Sequence, residues 1–143
     1  MIALNHALTG AAIGLAVQKP YLIVPVAFLS HFVLDMVPHF GHKKYKWGDK
    51  IGTIIFATDG AVTTIALICL AVFAPHLILP AMLGAFFAML PDVFWIHYYS
   101  QGKPKHWFYT FHSRIQWFER PPGALVEASY LVLIGTTITA LIR

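Results

Sequence analysis

The chain is poor in what a water-soluble or secreted domain relies on. Only 11% of its 143 residues are charged, and it has a single cysteine. So little charge cannot cover the surface of a soluble domain, whereas 58% hydrophobic residues suit a bilayer, which solvates apolar side chains directly. Cys69, alone in the apolar stretch 66–74, excludes an intramolecular disulfide and a thiolate metal cluster. A glycine-rich phosphate loop is missing too. So is a Ser-His-Asp spacing: Ser30 and Ser113 each adjoin a histidine, but adjacent residues do not face one another on a helix. No repeat or low-complexity tract occurs. Met1–Val17 carries no basic leader and reads as retained structure rather than a signal peptide.

What the chain does have is long apolar runs. Ile51–Ala74, Leu77–His97 and Ala124–Ile142 are each near the roughly 20 residues a helix needs to cross the hydrocarbon core. Two shorter runs, Ile2–Val17 and Tyr21–Val37, flank Gln18-Lys19-Pro20 and predict a helical hairpin, tilted or not fully crossing. Pro38 should end the second helix near Val37, and Leu90-Pro91-Asp92 should end or kink the fourth. Lys105–Phe118, dense in aromatics, reads as an amphipathic segment at headgroup level. The expected fold is all-α: a polytopic helical membrane protein with about five transmembrane or re-entrant helices plus that interfacial segment, forming one integral membrane domain over residues 1–143.

The net charge of +4 matters less than its placement. Seven of the ten Lys and Arg residues fall in Lys43–Lys50 and Lys103–Arg114. In so hydrophobic a chain, topology and anionic headgroups explain this better than nucleic acid, so membrane lipids are the expected partner and no nucleic acid is expected. The basic bias predicts a multi-pass protein of the inner (cytoplasmic) membrane, with both segments on the cytoplasmic side.

Placed on these helices, the polar residues collect toward that side. His6 starts helix one; His31, Asp35 and His39 end helix two; Asp59 lies about two turns into helix three; Asp92 is near the end of helix four; His112 is in the interfacial segment. His31 and Asp35, four apart, share a helical face and could approach one metal or bond each other. Asp59 puts a carboxylate in an apolar span, where a cation, a proton or an interhelical hydrogen bond must compensate it. Asp92 could be a ligand or a helix cap, and His6 a ligand or a hydrogen-bonded packing residue. His112 could be a ligand or an acid/base, and Arg114 could hold an anion such as phosphate or touch headgroups. His97 and Glu127 are weaker candidates. His42, His76 and His106 read as solvated or interfacial, and Glu119 as surface.

A set of histidines and carboxylates without usable cysteine suits zinc, manganese or iron, with zinc or manganese favoured and room for two ions. His6, His31, Asp35, Asp59 and Asp92 are the expected metal ligands, with His39, His112 and Arg114 as catalytic candidates. Metal-assisted hydrolysis is the chemistry such a set would support, on a lipid or other phosphoester at the cytoplasmic face. A metal or proton transporter and a non-catalytic membrane scaffold are the alternatives.

The order of these residues also resembles the bacterial and archaeal family of small membrane-bound metal-dependent hydrolases, with their N-terminal histidine, Pro-Asp motif and His-Ser motif. Here His6, Pro91-Asp92 and His112-Ser113 supply the matches. Phe94 stands where such proteins often carry a second acidic residue, and the His-Arg pair ahead of the His-Ser motif is missing. The resemblance implies an inner-membrane hydrolase that depends on a metal.

Overall fold

The computed structural model describes residues 1–41, 50–102 and 105–143. Lys43, Lys44, Lys46, His42 and Lys103, and with them most of the basic-loop pattern, lie outside the described residues. The described residues form six α-helices: α1 (Ala3–Val17), α2 (Pro20–Met36), α3 (Lys50–Phe73), α4 (Ile78–Ser100), α5 (Trp107–Ile115) and α6 (Gly123–Leu141). Three segments, Lys50–Phe73, Pro75–Ser100 and Gly123–Leu141, are long and apolar enough to cross a membrane, which marks the chain as a membrane protein. The first two helices are apolar but shorter, with 15 and 17 residues.

The shortest of these apolar helices is the centre of the bundle. α1 packs against α4, α2, α6 and α3 in turn, and nine of its residues are buried. Small side chains make this possible. A Cβ on Gly10 would overlap the Gly84 carbonyl, and one on Gly84 would overlap the Gly10 carbonyl, so α1 and α4 touch backbone to backbone. Ala7, Ala11, Leu15, Ala81 and Ala85 continue the contact as the apolar core.

At about 1.5 Å per residue, α1 covers roughly 22 Å, less than the ~30 Å hydrocarbon core. Its start is level with Asp59, about 13 Å along α3 from Lys50. A helix start at such depth leaves N–H groups that lipid cannot satisfy. Two carboxylates satisfy them. Asp59 accepts from the backbone N–H groups of Ala3 (2.7 Å) and Leu4 (3.2 Å), and Glu127 accepts from that of Ile2 (2.9 Å).

α2 ends at Met36, as Pro38 predicts. Pro91, however, does not end α4, which continues to Ser100. Proline leaves carbonyls of the preceding turn without their helical donors, and in a bundle a neighbouring side chain can supply one. Here the imidazole of His31 donates to the carbonyl of Ala88 at 2.8 Å. Residues 39 and 119 form an isolated parallel bridge, and the Arg120 N–H donates to the His39 carbonyl at 3.0 Å, tying the end of α2 to the start of α6.

Candidate metal centre

Four side chains from three helices meet at the end of the bundle where α1 begins: His31 and Asp35 on α2, Asp92 on α4 and His112 on α5. Each offers one ligand atom, and these atoms lie within 4.8 Å of one another. His31 and Asp35 share a face of α2 because they are four residues apart. Pro91 is buried and Asp92 follows it into the same space, 30% exposed. α5 is amphipathic, and its two buried residues, Phe108 and His112, are again four apart.

The geometry fits an ion. His31 Nε2 faces His112 Nε2 at 2.8 Å; Asp35 Oδ2 is 3.3 and 3.1 Å from the two nitrogens, and Asp92 Oδ1 is 3.6 Å from each. Ligands about 2.0–2.1 Å from a tetrahedral centre stand about 3.3 Å apart, in the middle of that range. The proton count points the same way. A carbonyl can only accept, so the His31 hydrogen bond to Ala88 places its proton on Nδ1 and leaves Nε2 a lone pair aimed into the cluster. That lone pair meets two carboxylates and one further imidazole, an excess of acceptors that a cation or an added proton must balance. Among the described residues this is the one such group of three or more side chains, and it could hold a metal ion.

The remaining candidates surround the four or stand apart. His6 donates from Nε2 to Asp35 Oδ1 at 3.2 Å and stacks on His31 with ring centroids 4.0 Å apart, so it supports the cluster from α1. The Met1 amino group also reaches Asp35 Oδ1, at 2.5 Å. Asp59 is outside the cluster, both its oxygens engaged by α1 backbone. Arg114 is exposed on α5. His39 is buried, its Nδ1–H donating to the Val37 carbonyl at 2.8 Å. Burial lowers its pKa, which keeps the imidazole neutral, and burial raises the carboxyl of nearby Glu119.

A cavity of about 460 Å³, within the usual range for small-molecule sites, adjoins the cluster through Asp92. Met1–Ala3 and Asp59 lie at one side, His39 and Glu119 at another, and α3 and α4 form walls that include Phe56, Ala57, Trp95 and Ile96. Gln116 joins cavity to cluster, its amide donating to Asp35 Oδ2 at 3.2 Å. Sequence reasoning gave Gln116 and the Ala88 carbonyl no role. Both had a signal in helical spacing: Gln116 follows His112 by four residues, and Ala88 precedes Asp92 by four.

No family model matches the chain, and neither the curated proteins nor the solved structures include a significant match.

Proposed function

We propose that the protein is a metal-dependent hydrolase of the inner-membrane face, acting on a lipid or other phosphoester, with one divalent ion held by His31, Asp35, Asp92 and His112. The observation that carries this reading is the convergence of two imidazole nitrogens and two carboxylates beside a cavity. Two nitrogens and two oxygens suit zinc or manganese. A bound ion of this kind supplies a water of lowered pKa and polarises a phosphoryl or carbonyl oxygen.

The chain's own residues do the rest. Ala88 fixes the His31 tautomer, while His6 and Gln116 hold the Asp35 carboxylate from opposite oxygens. His39, neutral and on the cavity wall, keeps Nε2 as its basic nitrogen and can take a proton there. The residues behind the family resemblance support the same reading: Asp92 and His112 are two of the four, and His6 holds a third. The basic segments favour a multi-pass arrangement with this end cytoplasmic.

Metal analysis of the detergent-purified protein tests the reading, with Asp35→Asn and His112→Ala alongside. The expected result is about one equivalent of zinc or manganese in the wild type, lost from both folded variants, together with metal-dependent hydrolysis of a phosphoester lipid. Metal-free, folded wild type that gains no activity on adding either ion would sink it. Bound ion that crosses a vesicle membrane without hydrolysis would favour the transporter instead.

A further inference from the structure

The cavity is asymmetric in a way that identifies what enters it. On α3, Thr53, Phe56, Ala57 and Gly60 fall at helical spacing on one face; on α4, Asp92, Trp95 and Ile96 do the same. The two stripes face each other across the cavity, because α3 leans on α1 and has little direct contact with α4. Thr53, Phe56, Ala57 and Gly60 are all exposed, so this wall is reached from the side of the bundle and not only from its end.

Depth matters as much as direction. Asp92 lies about 12 Å along α4 from Ser100, and Gly60 about 15 Å along α3 from Lys50, so the space reaches from the headgroup side toward the middle of a ~30 Å hydrocarbon layer. Trp95, on the cavity wall, stacks against Tyr99 and Tyr109 with centroids 5.5–5.6 Å apart, and such aromatic groups settle at headgroup level. Of the polar groups of the cavity, Asp92 and Gln116 belong to or touch the metal centre, His39 and Glu119 lie at its loop side, and Asp59 on α3 is held by the α1 backbone; the other residues of the two facing stripes are apolar apart from Thr53.

We infer that the α3–α4 opening is a lateral entry for a lipid: the ester headgroup lies between Asp92 and Ile96 on α4, and an acyl chain runs inward along Phe56, Ala57 and Gly60 on α3. This rests on the hydrolase reading for its purpose but not for its geometry. A freely soluble phosphoester would need no opening toward the hydrocarbon. A lipid ester needs one, since its reacting bond sits at the depth of Asp92 while its chain stays in the bilayer.

Gly60 makes the test clean, because a Cβ there meets nothing within 4 Å and a larger side chain enters the cavity without displacing backbone. Gly135 on α6 is equally open and provides the control. The full chain is reconstituted in phosphatidylethanolamine–phosphatidylglycerol vesicles containing a phospholipid with a diazirine on its acyl chain, and photolabelled residues are mapped by mass spectrometry. Labelling should concentrate on residues 56–60. It should fall about ten-fold in Gly60→Phe but not in Gly135→Phe, with bound metal the same in all three.

Labelling spread evenly over outward residues such as Ile65 and Leu79, or undiminished in Gly60→Phe, would overturn the lateral entry. Residues 53–60 protected by a cross-linkable second copy of the chain would overturn it too. If Gly60→Phe fails to fold, the wild-type label map alone decides. The two readings fail separately: cavity labelling in a metal-free protein removes the hydrolase and keeps the entry, while even labelling with metal bound does the reverse.

Discussion

α1 and α3 are both apolar helices, yet they meet opposite surroundings. α1 has nine buried residues among fifteen; α3 has three among twenty-four. Hydropathy does not separate them, because lipid and a protein interior both accept apolar side chains. Size does. Seven of the fifteen α1 residues are Ala or Gly, which let four helices close around it, whereas α3 is studded with exposed Ile, Val and Phe. In this bilayer fold the small residues mark the centre and the large ones the perimeter, the reverse of a soluble core.

The sharpest way to break that contrast is one glycine on each helix. Gly10→Leu forces a side chain into the Gly84 carbonyl and should cost about 3 kcal/mol or more, read as loss of the folded form in detergent unfolding. If Gly10→Leu is well tolerated, α1 is not the packed centre. Next in size is His6→Ala, which removes the α1 support for Asp35 and should weaken metal binding by about 10–100-fold in a chelator titration. Asp59→Ala removes the bond between the two helices. It should cost about 1–2 kcal/mol in thermal stability while leaving bound metal in place; parallel loss of metal would make Asp59 a ligand after all.

A pH titration distinguishes the loop end of α2 from both helices. Because burial sets the folded pKa of His39 below its unfolded value, its share of stability is present above the ordinary histidine range and is lost as pH falls through the folded value. His39→Gln should flatten that acid-side decline in a melting series, and an unchanged profile would assign the decline elsewhere. The smallest effect should be Gly60→Ala on α3, within about 1 kcal/mol and stabilising, since the helix gains propensity and no neighbour is met.

Much of this was legible in the sequence. The three long helices, the hairpin turn at Gln18-Lys19-Pro20 and the stop before Pro38 follow from run length and proline chemistry, and the structure places them within a few residues. His31, Asp35, Asp92 and His112 were visible as polar residues at a common depth. Their partners were not. Helical spacing places Asp59 at that depth but says nothing of which helix it faces, and a carboxylate capping a neighbouring helix has the same pattern as a metal ligand. The role of α1 was hidden for a similar reason: its 15 residues look too short for a span, and only its contacts show that it need not be one. Whether Pro91 ends or only kinks its helix stays open in the sequence, because the donor at that turn, His31, lies 57 residues away from Ala88.

The capped start of α1 also sets the order in which the molecule can be completed. Its first N–H groups find their acceptors 56 and 125 residues further along the chain, on α3 and α6. A ribosome releases α1 before either helix, so the Ala3 and Leu4 groups wait for α3 and the Ile2 group waits until nearly the whole polypeptide has emerged. The innermost helix is therefore the last to acquire its full set of bonds, completed only when the final helix is in place, whereas the four residues of the metal centre are all made before that helix.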